Sequence, residues 1–426
     1  MRRRHGPTRT NTDGQPEREP ACPCSSVFVR VSRKDSVTDK RKQPLAYALS
    51  VNYAGMVCLA VAVNLPPLLL TTLSAALGGE AGLTEEQLGR IGSAIFVGLV
   101  VGIVLTGPLA DRIGAKPFAI VGSLCVGLGL AVLGFARSYA AVLGAAFVMG
   151  LGAGVLDMVL SPIVAALQPE GRTSAMNWLH SFYSIGAVAT ALGVSEALGR
   201  GAEWRTISLA LIPLCVLVAA GFVAMRVPAL VAEGHNRLPL RRLCRERYFL
   251  AALAAILLVG CTELAMAQWL PAYAERGLGY SREAGGRALM VFCVVMAAGR
   301  VAGGVVGHRV RAIPLMIGAC SLAACLYIVA SFAPWRPAAL VACMAMGLAI
   351  SCLWPSMLAV AADRFPHGGA SMFALLAAFG NGGGILMPWL VGAVADGTSM
   401  AWGMATGTIP ALLLIVLLAW MSRRAA

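Results

Sequence analysis

From Leu45 onward the chain alternates long apolar runs with short polar turns. The runs Ile91–Ala110 and Pro117–Ala136 each hold twenty uncharged residues, enough helix to cross a bilayer core of ~30 Å at ~1.5 Å per residue. Marking such stretches along the chain gives twelve, beginning near Ala46, Ile91, Pro117, Tyr139, Ser174, Thr206, Tyr248, Arg287, Ala312, Pro337, Ala370 and Met400. The pattern predicts an all-α polytopic membrane protein with twelve transmembrane helices. An even number of spans puts both termini on one side.

Composition agrees: 58% of residues are hydrophobic and 13% charged, with a mean hydropathy of +0.76, whereas a soluble domain carries about 25% charged residues. Charge distribution adds orientation. With the termini placed in the cytoplasm, the inner loops and C-terminal end hold fourteen Lys and Arg and the outer loops eight, before the N-terminal tail adds eleven; the positive-inside rule therefore favours cytoplasmic termini. The net charge of +14 is explained by this topology, and no nucleic-acid partner is expected. Residues 1–44 lack a core-forming pattern and are expected to be a disordered basic cytoplasmic tail. No cleaved signal peptide is expected. The inner excess peaks at Arg226, Arg237, Arg241, Arg242, Arg245 and Arg247, which marks 227–247 as a cytoplasmic linker between a six-helix bundle over 45–226 and a second over 248–426.

Twelve cysteines lie mostly singly within apolar runs, where they act as small hydrophobes; Cys22 and Cys24 lack a second ligand pair. No metal and no cofactor are expected. The 48 glycines suit close helix approach in lipid.

Candidate chemistry rests on polar groups inside the spans, each costing roughly 2.5–3.5 kcal/mol at a helix centre for a charge. Asp157 lies in span four with Ser161 one turn on, on one face. In span five Asn177, His180 and Ser184 form a stripe that should face a cavity. In span seven Glu263 is followed by Trp269, Pro271 and Tyr273; the proline is expected to free a carbonyl and break the helix, a feature tolerated where backbone lines a cavity. Trp354 beside Pro355 and Asn381 within Gly380–Gly384 join the list, as does Asn64 before Pro66-Pro67. Asp157, Glu263 and His180 are the titratable candidates for proton coupling; Glu196 is expected to be interfacial, and Arg300 a snorkelling or gating residue.

Several segments resemble known families. Gly107-x-x-x-Asp111-Arg112-x-Gly114-x-Lys116 resembles the loop after the second helix of the major facilitator superfamily, and Gly303-Gly304-x-x-Gly307-His308-Arg309 is similar to a degenerate second copy. The resemblance implies two pseudo-symmetric six-helix bundles, the major facilitator fold, and a gating role for Gly107, Asp111 and Arg112. Gly154-x-x-Asp157-x3-Ser161-Pro162 with Asn177-x2-His180-x-Phe182-x-Ser184 resembles spans four and five of fucose permeases, and Thr262-Glu263-x5-Trp269-Leu270-Pro271-x-Tyr273 is similar to span seven of glucose/mannose:proton symporters. These segments cover spans four, five and seven.

What the resemblance implies is proton-coupled symport of a small polar, sugar-like solute, with substrate contacts at Asn64, Asp157, Asn177, His180, Glu263, Trp269, Trp354 and Asn381. Where fucose permeases carry an acid on span one, this chain has Pro67. The alternative is an exporter of drugs or metabolites with the same fold. An enzyme is not expected, because no catalytic constellation is present. The expected setting is the bacterial inner membrane, and the expected state a monomer.

Overall fold

The computed structural model describes residues 44–168, 172–227, 240–306, 311–365 and 369–425. Residues 1–43 of the expected tail, 228–239 of the linker and 307–309 of the degenerate second loop copy lie outside the described residues, as do the side chains of Asp111, Asn177 and residues 303–306. Among the described residues, twelve helices are long and apolar enough to cross a membrane. They are α1 Leu45–Leu77, α2 Glu85–Ile113, α3 Ala115–Gly134, α4 Tyr139–Leu167, α5 Arg172–Gly199, α6 Trp204–Ala224, α7 Arg247–Gly277, α8 Arg282–Val306, α9 Ala312–Phe332, α10 Arg336–Arg364, α11 Gly369–Gly397 and α12 Met400–Arg424.

The sequence explains where these helices start. Thr84 accepts from the Gln87 amide while the Gln87 side chain caps Thr84, a capping box at the head of α2. Ser138 and Ser399 do the same work more simply for α4 and α12.

Polyleucine-like surfaces attract one another weakly in lipid, so contact geometry comes from small residues. Gly150 and Gly154 of α4 lie against the Ile95 and Leu99 carbonyls of α2, so closely that an added Cβ would stand 1.9 and 2.0 Å from those oxygens. Within the first half α2 and α3 pack on α4, and α1 on α5; within the second, α8 and α9 pack on α10, and α7 on α11. The halves meet through α2 against α11, α5 against α8 and α1 against α7. This is the duplicated six-plus-six arrangement, and α1 and α7 are its equivalent central helices.

The end of the bundle away from the start of α1 and the end of α12 is tied across the halves. Asp396 at the end of α11 accepts from the amides of Glu85 (2.7 Å) and Glu86 (2.8 Å), so a carboxylate of the second half caps the first turn of α2. Trp389 Nε1 donates to Glu86 (2.9 Å), Arg276 pairs with Glu85, and Arg287 of α8 pairs with Glu196 of α5 at 2.8 Å. Glu196, expected to be simply interfacial, is thus an inter-half contact.

Candidate functional site

A small, partly open cavity lies between the halves and is lined from α1, α5, α7 and α8. Its polar lining is Asn64, Tyr183, Glu263 and Gln268; Val63, Ala187, Leu264, Phe292 and Met296 supply apolar wall. All four polar residues stand near the middle of their helices.

The backbone explains why α1 and α7 form this wall. Pro67 has no amide hydrogen for the carbonyl four residues back, at Val63, and Pro271 has none for the carbonyl of Ala267. Val63 and Ala267 both line the cavity. In each helix the next residue is a carboxamide, Asn64 or Gln268, and both line it too. Both halves therefore present an amide three residues before a proline and a freed carbonyl on a cavity-lining residue, and in α1 Pro66 frees a second carbonyl, at Ala62. Pro271 does not break its helix as expected. The α-helix continues to Ala272 and passes into a π-helical turn, Tyr273–Gly277, which absorbs the misfit in place of a break.

Charge enters through one pair. Arg300 of α8 approaches Glu263 Oε1 at 3.5 Å, with side-chain exposures of 31% and 14%. Arg300, expected from the sequence to snorkel or gate, thus has Glu263 as its ion-pair partner. Burial explains the pairing: an Arg this deep needs a counter-ion, and Glu263 on the facing helix is placed to supply it. The pair is incomplete, since Glu263 Oε2, Arg300 Nε and Gln268 Oε1 are buried without partners. Asn64 donates to Ala60 O at 2.9 Å and lies 3.5 Å from the Tyr183 hydroxyl.

The other candidates stand apart from the cavity wall. Trp269 is fully buried and its Nε1 donates to Pro388 O at 2.9 Å. Its indole joins α7 to α11. Tyr273 is also buried and donates to Ala330 O at 2.7 Å. Trp354 packs over Gly380, and Asn381 donates to Ala377 O at 2.9 Å within its own helix. Asp157 is half-buried on α4. His180 is exposed, near enough to Arg300 to feel its charge, so of the predicted stripe Ser184 is buried and His180 is not. Gly107 is half-buried near Met158, and Arg112 is exposed.

Tyr183 and Gln268 were not singled out from sequence. Gln268 could have been, by the rule that drew attention to Glu263, because it is a buried polar residue in the same apolar run.

A family model described as Major Facilitator Superfamily matches residues 48–368. The crystal structure of the E. coli fucose:proton symporter aligns with a TM-score of 0.63 at 20% identity, covering 89% of this chain and 99% of that one. A protein of Bacillus subtilis, whose assignment as a niacin/nicotinamide transporter is itself provisional, is 35% identical over 153 residues, which are 36% of this chain and 38% of that protein. The gentisate transporter of Corynebacterium glutamicum is 32% identical over 255 residues, 55% of each chain. The chain thus spans well under two thirds of either relative's length.

Proposed function

The chain belongs to the major facilitator superfamily, and from that premise we propose that it carries a small polar, hydroxyl-bearing solute, the class that includes hexoses, together with a proton. The fold supplies the mechanism. Two bundles rock about a central site, which opens alternately to either side of the membrane. The terminus-side loops face the cytoplasm of a bacterial inner membrane, and the tied end faces out.

The observation that carries the reading is the cavity between the halves. Its unpartnered Glu263 and Gln268 atoms, the unpartnered Arg300 Nε beside Glu263 and the freed carbonyls need hydrogen-bonding partners, which a lipophilic solute cannot give and a polar one can. Glu263, in contact with Arg300 at that wall, is the lead coupling group; Asp157 and His180 are secondary. Asn64, Tyr183 and Gln268 form the solute contacts. Sugar likeness is supported by the fold of the fucose:proton symporter; the relatives named for niacin and gentisate widen the class to small ring compounds with polar substituents.

The test is uptake by proteoliposomes of a labelled panel of hexoses, ring carboxylates and lipophilic cations, with and without a pH gradient. Gradient-dependent accumulation of a polar member is expected. Counter-transport of lipophilic cations alone would move the protein to the exporter reading.

A further inference from the structure

The Glu263–Arg300 contact is a poor ion pair in a place that favours a good one. A guanidinium beside a free carboxylate settles into two parallel N–H···O bonds. Here one nitrogen reaches one oxygen at 3.5 Å, while Arg300 Nε and Glu263 Oε2 stay buried and unpartnered. Glu263 lines the cavity, Arg300 meets it from the facing helix, and Gln268 Oε1, a third unpartnered atom, belongs to a residue of the same wall. The site therefore keeps unused a guanidinium edge shaped for a carboxylate.

Charge counting sharpens this. The helices packed most closely on α7 are α1, α8, α10, α11 and α12, and α9 reaches it through Tyr327, whose hydroxyl donates to Thr262 O at 2.7 Å. Facing Glu263, α8 brings Arg300 and Cys293, and α9 brings Tyr327. From α5, Tyr183 feels both charges and His180 feels that of Arg300. The titratable residue of α11 is Asp396, at the far end, and the basic residues of α12, Arg423 and Arg424, stand at the terminus end. Glu263 is thus the acid that balances Arg300, and the pair together is neutral. A second anion entering this cavity leaves one negative charge uncompensated, which a low-dielectric site resists strongly.

Resting on the reading of this cavity as the transported solute's site, we propose that the solute is a small hydroxylated monocarboxylate. Its carboxylate takes the Arg300 guanidinium from Glu263, and the released Glu263 carboxyl takes up one proton. The balance closes. The empty site holds Arg300 positive and Glu263 negative; the loaded site holds Arg300 positive, the solute negative and Glu263 neutral. One proton therefore travels with each anion and no net charge crosses the membrane. The solute's hydroxyls donate to Gln268 Oε1 and to the carbonyls freed by Pro67 and Pro271, and its ring lies along Phe292 and Met296. A neutral polyol satisfies the same acceptors but leaves Glu263 on Arg300, with no reason to recruit a proton.

Two matched pairs test this on the full-length protein: hydroxybenzoate against hydroxybenzyl alcohol, and gluconate against glucitol. The arms distinguish an aromatic from a sugar-acid source. The acid of at least one pair is expected to raise the melting temperature while its neutral partner does not. In proteoliposomes the same acid should carry one proton inward per anion, above protein-free vesicles, at a rate unchanged by an imposed membrane potential. Glu263→Gln should keep acid binding and acid-for-acid exchange but lose at least tenfold in proton movement; Arg300→Gln should lose acid binding. The potential test uses the parent protein, so it stands even if a variant fails to fold. Binding by the neutral partners as strong as by the acids, or potential-driven anion entry, overturns the carboxylate proposal and leaves the polar-solute reading intact. Response to none of the four, with lipophilic cations stabilising the protein, overturns both.

Discussion

Asp157 and Glu263 are both acids inside apolar spans, and their surroundings separate them. Glu263 meets Arg300 at the cavity wall. Asp157 sits on α4 among glycines that seat α2 and has no hydrogen-bond or ion-pair partner among the described residues. Asp157→Asn is therefore expected to raise thermal stability, by up to roughly 2.5–3.5 kcal/mol if the full cost of the charge is relieved, and to keep ligand-induced stabilisation. Melting curves of parent and variant, with and without solute, check both; loss of the ligand shift would return Asp157 to the binding site. Trp269 is the opposite case. Losing its bond to Pro388 O leaves a buried carbonyl unpaired, so Trp269→Phe should cost ~1–3 kcal/mol while the order of preference among solutes stays unchanged in competition assays. The ionisable residues in the spans were legible from sequence because their cost demands a reason. Their partners were not, since pairing Glu263 with Arg300 needs the crossing of two helices 37 residues apart in the chain.

At the scale of the helix, one feature repeats across the halves and one does not. The repeated one is the proline that strips a donor from a cavity-lining carbonyl. Restoring the amide hydrogen by Pro67→Ala or Pro271→Ala should stabilise the helix, by at most the ~3 kcal/mol that an interior proline costs, and weaken solute binding by withdrawing an acceptor; a binding titration that shows unchanged affinity would deny those carbonyls any part in recognition. The feature without a mirror is Asp396, which caps α2 from the other half. An anion at a helix N-terminus contributes typically 0.3–1 kcal/mol and up to ~2 when partly buried, which corresponds to a shift of roughly two-fold to about thirty-fold between two conformations. Asp396→Asn should therefore favour the state open at that end, read as increased labelling of a cysteine placed at Ala187 by a membrane-impermeant reagent. Equal labelling in parent and variant would reduce Asp396 to a local cap. Twelve spans were readable from hydrophobic run length alone. The capping contact was not, because Ala395-Asp396-Gly397 looks in sequence like an ordinary polar helix end.

For the whole molecule, opening and closing must spare the packing within each half and break the contacts between them. The α2–α4 contact is glycine against backbone, leaving no room for sliding, so those helices move as one body. Between the halves at the tied end, Gly89 of α2 lies against Pro388 of α11, and an added Cβ would stand 2.1 Å from the Pro388 oxygen. Such an approach permits no side chain, yet nothing within the first half depends on it. A bulky residue here should therefore leave each half folded and keep the tied end apart. Gly89→Leu is expected to melt within a few degrees of the parent, to bind impermeant solute from the side opposite the termini, and to fail in net transport because it cannot complete the cycle. The measurements are a melting curve, labelling at Ala187 and uptake in proteoliposomes. Normal uptake by a well-folded Gly89→Leu protein would mean that the halves need not meet at α2 and α11, and that the gate lies instead at the Arg287–Glu196 contact between α8 and α5.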